Sequence, residues 1–337
     1  MATKQQKKKL DLTDAKNCNL VLCFDGTWNT EDPDVQKNNS VTNVFRVFEA
    51  IQQDVLDESG SITHANYFEG PGTKAGNKLA GGLLAADLDE VIKDGYRQLV
   101  MHVRACRAKE IEPKIYLFGF SRGAYICHVF SWLLHVIGIT TARPSEWDGI
   151  VDDFLARDPE KVKKAIGKGA KQSPRVTLMG LWDAVSSQHD FYRGFFNGLK
   201  APIVDKIRHA MAADERRELF PVMHYLQNDA IRQVWFPGVH SEVGGGYAND
   251  KSLYRLSLDW MIKEAELSGL KFLGKSAKPK INWLTLPKHC PPTSRDYAVR
   301  CYWPQDELDD SLLERTTATF QPVEFDNFES DNINIKL

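Results

Sequence analysis

The chain has 337 residues, of which 42% are hydrophobic, 26% charged and 10% aromatic, a composition typical of a folded protein with a substantial core. Lysine and arginine number 43 against 45 aspartates and glutamates, so the formal net charge is −2. This balance provides no general basic field and argues against nucleic acid as a partner. Six cysteines without a C-x-x-C pair argue against a disulfide scaffold and against a zinc site.

The first residues are polar and rich in lysine, and the apolar segment of a secretory signal does not follow them. The longest apolar stretch, 125–142, contains His128 and His135 and has helical spacing. This pattern favours a buried helix over a membrane span. We therefore expect a cytoplasmic location, with non-classical secretion left open.

Four short, apolar, β-prone runs predict core strands, and they occupy 18–24, 114–120, 175–181 and 231–236. Apolar residues from Leu84 to Cys106 recur every three or four positions, which predicts one amphipathic helix of about six turns. A second helix, from 124 to about 137, follows the second strand directly. This alternation predicts an α/β fold with a mainly parallel sheet, helices on both faces and inserted lid or cap segments.

A serine motif lies between the second predicted strand and the helix that follows it. Gly119 to Gly123 reads G-F-S-R-G and matches the pattern G-x-S-x-G in the strand–turn–helix setting that this pattern requires. The glycines permit a strained turn that lifts the hydroxyl of Ser121 off the sheet, where the helix N-terminus stabilises negative charge. We interpret Ser121 as a nucleophile, with a purely structural turn as the alternative.

A serine nucleophile needs a base and an acid that orients this base, in the chain order Ser, acid, His for hydrolases built on such a sheet. Asp183 follows the third predicted strand and His240 follows the fourth. Carboxyl ends of parallel strands meet at one edge, so these groups can converge there with Ser121. Alternatives remain open: the rival histidines are His189, His209 and His224, and the rival acids are Asp190, Asp205 and Glu242.

An oxyanion hole combines the backbone N–H after the nucleophile with one from a neighbouring loop. Arg122 is the first candidate, and Gly26 or Thr27, after the first strand, is the second. A simple turn stabilised by the side chain of Asp25 is the alternative for this loop. A phosphatase of the haloacid-dehalogenase type would carry D-x-D-G-T here, but Cys23 stands at its nucleophile position. The serine chemistry requires no cofactor and no metal.

These motifs resemble the uncharacterised α/β-hydrolase family whose catalytic domain is shared with type VI secretion phospholipase effectors. The similar segments follow one another over about residues 20–265, and they are Leu22 to Asn29, Asn43-Val44, Tyr67 to Thr73, Leu117 to Tyr125, Gly180 to Val185, Arg208 to Arg217 and Val234 to Tyr247. The resemblance implies an α/β-hydrolase fold and a Ser-Asp-His triad. By position this triad falls on Ser121, Asp183 and His240.

Three regions are expected along the chain: a flexible polar leader at 1–17, an α/β-hydrolase domain at 18–273 and a packed C-terminal extension at 274–337. Insertions at about 141–174 and 187–229 interrupt the domain. The first contains a lysine-rich segment suited to peripheral contact with anionic lipid, for which a solvated basic helix is the alternative. The second is aromatic and suited to a lid or to an ordinary cap.

The sequence therefore predicts a serine hydrolase that cleaves carboxylic esters of small molecules or lipids, a lipase-like esterase or a phospholipase. A non-catalytic binding or assembly module that retains the fold is the alternative. The sequence gives no indication of the oligomeric state.

Overall fold

The computed structural model describes residues 11–26, 41–70, 81–156, 158–167, 173–185, 203–217, 220–226, 228–247, 253–273 and 307–312. A sheet of seven strands forms the centre of this part of the chain, in the order β2-β1-β3-β4-β5-β6-β7. The strands are β1 (Asn17–Phe24), β2 (Ser61–Phe68), β3 (Lys114–Phe120), β4 (Val176–Trp182), β5 (Ile207–Ala212), β6 (Ile231–Phe236) and β7 (Glu307–Leu308). All neighbouring strands are parallel, so their carboxyl ends form one edge.

Helices cover both faces of the sheet. They are α1 (Asn43–Ala50), α2 (Gly81–Arg107), α3 (Arg122–Val136), α4 (Trp147–Leu155), α5 (Pro159–Ile166), α6 (His240–Gly244) and α7 (Leu253–Glu266). Alternate residues of β1 show why both faces are apolar: Leu20 and Leu22 pack with α2, α3 and α4, whereas Val21 and Cys23 pack with α1 and α7. The predicted α/β-hydrolase-like fold, with a parallel sheet and helices on both faces, is confirmed.

The four predicted strands correspond to β1, β3, β4 and β6, but β2, β5 and the two-residue β7 were not predicted. Strand β5 lies inside the stretch 187–229 that the sequence analysis treats as an insertion, and this stretch therefore supplies a central strand. The sequence I-R-H-A-M-A hides the strand because Arg208 and His209 interrupt its apolar character, although both side chains are buried. Arg208 pairs with Glu264, and His209 accepts a hydrogen bond from the backbone N–H of Ala184.

A buried ion-pair network explains how a charged residue fits in β5. The carboxylate of Glu264, on α7, binds Arg208 on β5 and also Nη1 of Arg232 on β6, at 2.5 Å. Arg232 in turn binds Glu307 on β7 at 2.6 Å. The network links three adjacent strands to one helix and attaches β7, which belongs to the predicted C-terminal extension, to the sheet edge.

Several predicted features lie outside the described residues. They are residues 1–10 of the leader, residues 187–202 at the start of the aromatic insertion at 187–229, and residues 274–306 and 313–337 of the extension. Among the helices that the structure describes, none has both the length and the apolar character needed to cross a bilayer.

The buried pair gives a direct test of the packing of β5. The side chains of Arg208 and Glu264 are only 9% and 8% exposed, so Glu264→Gln leaves a buried guanidinium without its counter-charge. We expect the free energy of unfolding to fall by about 3 to 5 kcal/mol, measured by urea denaturation. Glu307→Gln is the matched control, because the Glu307 side chain is 42% exposed and its pair with Arg232 should contribute at most about 1 kcal/mol. An equal loss of unfolding free energy in the two variants would contradict the burial of the Arg208–Glu264 pair.

Candidate active site

The turn that carries Ser121 is strained. Ser121 joins β3 to α3 with φ 57° and ψ −121°, a conformation that is costly for a residue with a Cβ. Its backbone N–H donates to the carbonyl oxygen of Trp182 at 3.0 Å. This hydrogen bond ties the turn to the end of β4, and the side chain lies at the carboxyl edge of the sheet.

The glycines on either side of Ser121 permit close contacts between backbones. A Cβ placed on Gly119 would lie 2.5 Å from the carbonyl oxygen of Gly123, and a Cβ on Gly123 would lie 2.0 Å from the carbonyl oxygen of Phe24. Neither contact can be relieved by moving a flexible side chain. The start of α3 is therefore packed directly on the ends of β1 and β3, as the spacing of the motif predicts.

Asp183 and His240 form a buried hydrogen-bonded pair. Asp183 follows β4 with a positive φ of 40°, and its Oδ2 lies 2.6 Å from Nδ1 of His240, the first residue of α6. Its Oδ1 accepts the backbone N–H of Ala212 at 2.8 Å, and its own N–H donates to the carbonyl oxygen of Ala210 at 2.7 Å. The end of β5 thus holds the carboxylate, while the carboxylate holds the imidazole.

Two aromatic rings pack against the imidazole of His240. The Phe120 ring lies at a centroid distance of 4.6 Å with an interplanar angle of 34°, and the Phe220 ring approaches at 4.9 Å and 77°. Phe120 immediately precedes Ser121, so the ring contact brings the histidine next to the serine turn. The structure therefore gathers Ser121, Asp183 and His240, contributed by the ends of three different strands, at one edge.

The rival histidines have other surroundings. Nε2 of His209 accepts the backbone N–H of Ala184 at 3.0 Å, which fixes the chain just beyond Asp183. His224 packs against the Trp235 ring at a centroid distance of 5.7 Å. His189 lies outside the described residues.

The rival acids are likewise engaged elsewhere. Asp205 forms an ion pair with Arg175 at a site that is largely exposed. Glu242 accepts the backbone N–H of Val239 at 2.9 Å and thereby caps α6. Asp190 lies outside the described residues.

The loop after β1 is shaped by Asp25. Its Oδ1 accepts the backbone N–H of Gly26 at 2.6 Å, a side-chain-to-backbone bond of the kind considered as the alternative for this loop. Gly26 thus already donates its N–H in this structure, while Arg122 begins α3 directly after Ser121. Thr27, the other candidate donor, lies outside the described residues.

Asp25 also accepts hydrogen bonds from two hydroxyl groups that are distant from it in the sequence. Its Oδ2 lies 2.6 Å from Oγ1 of Thr42 and 2.5 Å from the hydroxyl oxygen of Tyr67. Burial raises the pKa of Asp25 to about 6, against the opposing effect of these hydrogen bonds. The same burial, together with the neighbouring carboxylate, raises the pKa of Tyr67. The position of Asp25 at the end of a buried strand was the signal in the sequence.

Two acids after β5 were also missed. Asp214 exchanges two hydrogen bonds with Gly238, since its N–H donates to the glycine carbonyl at 3.0 Å and its Oδ2 accepts the glycine N–H at 2.7 Å. Glu215 is buried, and its Oε2 accepts the backbone N–H of His240 at 3.2 Å. Both belong to the D-E-R-R part of a segment that the resemblance singled out, but their partners lie beyond β6, at Gly238 and at the first residue of α6.

The described residues contain no group of three or more His, Cys, Asp or Glu side chains arranged to hold a metal ion.

The buried carboxylate of Asp25 predicts a pH-dependent contribution to stability. Its pKa of about 6 exceeds the ordinary 3.8, so the contribution is present in full below about pH 4 and is lost as the pH rises through 6. Asparagine does not ionise. The free energy of unfolding of Asp25→Asn, relative to the natural chain, should therefore rise by about 2 kcal/mol between about pH 4 and pH 7.5. Urea denaturation at both pH values measures it, and a constant difference would contradict the burial of an ionisable Asp25.

Comparison with known proteins gives a family match and a distant relative. Residues 18–264 match the family described as T6SS phospholipase effector Tle1-like catalytic domain. An uncharacterized protein of Saccharomyces cerevisiae, YEL023C, is 25% identical over 235 residues, which cover 60% of this chain and 32% of the yeast protein.

Two solved structures are also similar. One is an uncharacterized protein from Pseudomonas aeruginosa, with 17% identity and a TM-score of 0.47 over 77% of this chain and 47% of that chain. The other is the Tle1 effector bound to the VgrG spike of the type 6 secretion system, with 20% identity and a TM-score of 0.41 over 69% of this chain and 52% of that chain. The chain spans about a third of the yeast relative and about half of each solved chain. Because the family match covers most of its length, this chain belongs to the family of Tle1-like phospholipase effector catalytic domains.

Proposed function

We propose that this chain is a serine hydrolase that cleaves carboxylic esters of lipids, with Ser121 as nucleophile, His240 as base and Asp183 as the acid that orients the base. The observation that carries the proposal is the buried 2.6 Å contact between Asp183 Oδ2 and His240 Nδ1 beside the strained serine turn. Membership of a phospholipase effector family supports the lipid ester as substrate class.

The hydrogen bonding of Asp183 supports a definite tautomer for His240. An ionised carboxylate only accepts, so the proton of the neutral imidazole is held at Nδ1. Nε2 then carries the lone pair, as a general base requires. The N–H of Ala212, directed at the other oxygen of Asp183, stabilises the ionised carboxylate and thereby the imidazolium that forms during the reaction.

The proposed reaction proceeds through an acyl-enzyme. Ser121 Oγ attacks the ester carbon while its proton passes to Nε2 of His240, and a tetrahedral oxyanion forms. The intermediate collapses, the carbon–oxygen bond to the alcohol breaks, and the leaving alcohol takes the proton from His240. Water then attacks the acyl carbon while His240 takes its proton. The bond between this carbon and Ser121 Oγ breaks, His240 returns the proton to Oγ, and the carboxylic acid is released.

The oxyanion needs backbone donors in fixed positions. We assign the first to the N–H of Arg122, at the start of α3, where the helix dipole also favours negative charge. The loop after β1 supplies the second donor, from Thr27, or from Gly26 once its N–H has left the Asp25 carboxylate.

The structure describes two parts of the lysine-rich segment, 161–175, namely residues 161–167 and 173–175. Lys161, Lys163 and Lys164 on α5 are exposed, while Lys168 and Lys171 lie outside the described residues. Ser173, near the end of the segment, donates to the carbonyl oxygen of His135 in the last turn of α3. Since α3 begins beside Ser121 and is about 20 Å long, this hydrogen bond places Ser173 near the end of α3 that is opposite the serine turn.

Hydrolysis assays test the proposed roles. The purified chain should hydrolyse p-nitrophenyl esters and phospholipids in mixed micelles, and Ser121→Ala should abolish both activities. Asp183→Asn should lower kcat by about 10⁴-fold, because the asparagine stabilises the wrong imidazole tautomer. The matched control is Asp205→Asn, which removes a carboxylate at an exposed ion pair and should leave kcat unchanged.

Two results would overturn the proposal. One is a Ser121→Ala variant that retains ester hydrolysis. The other is a folded natural chain that hydrolyses no ester while binding phospholipid vesicles, which is the behaviour expected of a binding module.

A further inference from the structure

The chain segment that follows β5 contacts His240 at two separate points. We call this segment the β5 tail and define it as residues 213–217 together with Phe220. It contains an acidic, a basic and an aromatic residue to which no catalytic role was assigned above: Glu215, Arg217 and Phe220. Their contacts form a closed chain of interactions around the histidine.

The first contact is at the backbone of His240. Oε2 of the buried Glu215 accepts the His240 N–H at 3.2 Å, and the same carboxylate is held by Arg217 through Nε at 2.9 Å and Nη2 at 2.8 Å. Two further backbone N–H groups, of Arg216 and Arg217, donate to Oε1 at 3.1 and 2.9 Å. The carboxylate is therefore fixed firmly enough to act as an anchor.

The second contact is at the imidazole ring. The guanidinium of Arg217 lies 3.6 Å from the centroid of the Phe220 ring, a cation–π geometry. The Phe220 N–H also donates to the carbonyl oxygen of Arg217 at 3.0 Å. Phe220 then meets the His240 ring edge-on at 4.9 Å. Arg217 thus connects the anchor at the backbone of the histidine with the packing of its ring.

We propose that Glu215, Arg217 and Phe220 are positioning residues that fix the orientation of His240, in addition to Asp183; this inference rests on the proposed function. One hydrogen bond to Nδ1 fixes one atom of the imidazole and leaves the ring free to pivot about it. The anchor at the backbone and the contacts of the imidazole with the Phe220 and Phe120 rings remove this freedom. The imidazole is then already oriented with Nε2 toward Ser121, and it needs no further ordering during the reaction.

The ion pair between Glu215 and Arg217 also keeps the charge around His240 balanced. The charged and titratable groups around His240 are Asp183 after β4, Asp214, Glu215 and Arg217 after β5, Glu242 on α6 and Tyr247 beyond it. Loss of the Glu215 charge alone leaves the Arg217 cation unbalanced near the imidazole and disfavours the imidazolium. Loss of the Arg217 charge alone has the opposite effect.

Glu215→Gln and Arg217→Gln test the proposal, with Arg216→Gln as the matched control because Arg216 is the neighbouring cation but is exposed. Both test variants should lower kcat about tenfold or more and change KM less than about twofold. The acidic limb of the kcat–pH profile should move to lower pH in Glu215→Gln and to higher pH in Arg217→Gln. Arg216→Gln should match the natural chain in kcat and pH profile.

A second pair of variants keeps the test decisive if the loss of charge impairs folding. Arg217→Lys retains the charge but not the two-pronged contact or the stacking, so kcat should fall while the pH profile stays in place. Phe220→Leu removes the aromatic ring that contacts His240 and leaves the charge unchanged, so it should also lower kcat without moving the pH profile.

Titration of active sites with a fluorophosphonate separates positioning from mere stabilisation, because kcat is then expressed per reactive site. A structural role would lower the reactive fraction and the Tm but leave kcat per site and the pH profile unchanged, and this result would overturn the inference. Equal kcat and pH profiles in all variants would overturn it as well. Failure of the natural chain to react would instead contradict the proposed function itself.

Discussion

The burial of the Asp183 carboxylate is the constraint on which the rest of the site depends. An ionised carboxylate removed from water is costly unless hydrogen bonds replace its hydration. Here the replacements come from two neighbouring segments: the N–H of Ala212 at the end of β5 and Nδ1 of His240 after β6. Since β4, β5 and β6 are adjacent and parallel, the register of the sheet places both donors at the carboxylate. The orientation of the imidazole is thus a consequence of strand pairing.

A second constraint, backbone packing, places the serine at the same edge. The positive φ of Ser121 is maintained because the turn is held between Trp182 on one side and the glycine contacts on the other. The carbonyl oxygen of Phe24 would lie only 2.0 Å from a Cβ on Gly123, so the end of β1 is in direct backbone contact with the start of α3. The buried carboxylate of Asp25 then orders the loop that leaves this strand.

The features that the sequence predicted are those encoded over short distances. Strands β1, β3, β4 and β6 are apolar runs. Ser121 and Asp183 directly follow β3 and β4, and His240 follows β6 after three residues. Strand β5 was missed because its buried Arg208 is compensated by Glu264, a residue 56 positions away. Glu215 was missed for a similar reason: its partner in the site is the backbone N–H of His240, which follows β6, and no pattern of side chains indicates this contact.

Mapping a covalent adduct at the nucleophile tests the central claim most directly. The purified natural chain is treated with a fluorophosphonate, its intact mass is measured, and the modified peptide is sequenced by mass spectrometry. The geometry predicts one adduct per chain, on the peptide that contains Ser121, and no adduct when His240 is replaced by alanine. An adduct on a different residue, or a folded chain that remains unmodified, would contradict the assignment of Ser121, Asp183 and His240 as a working unit.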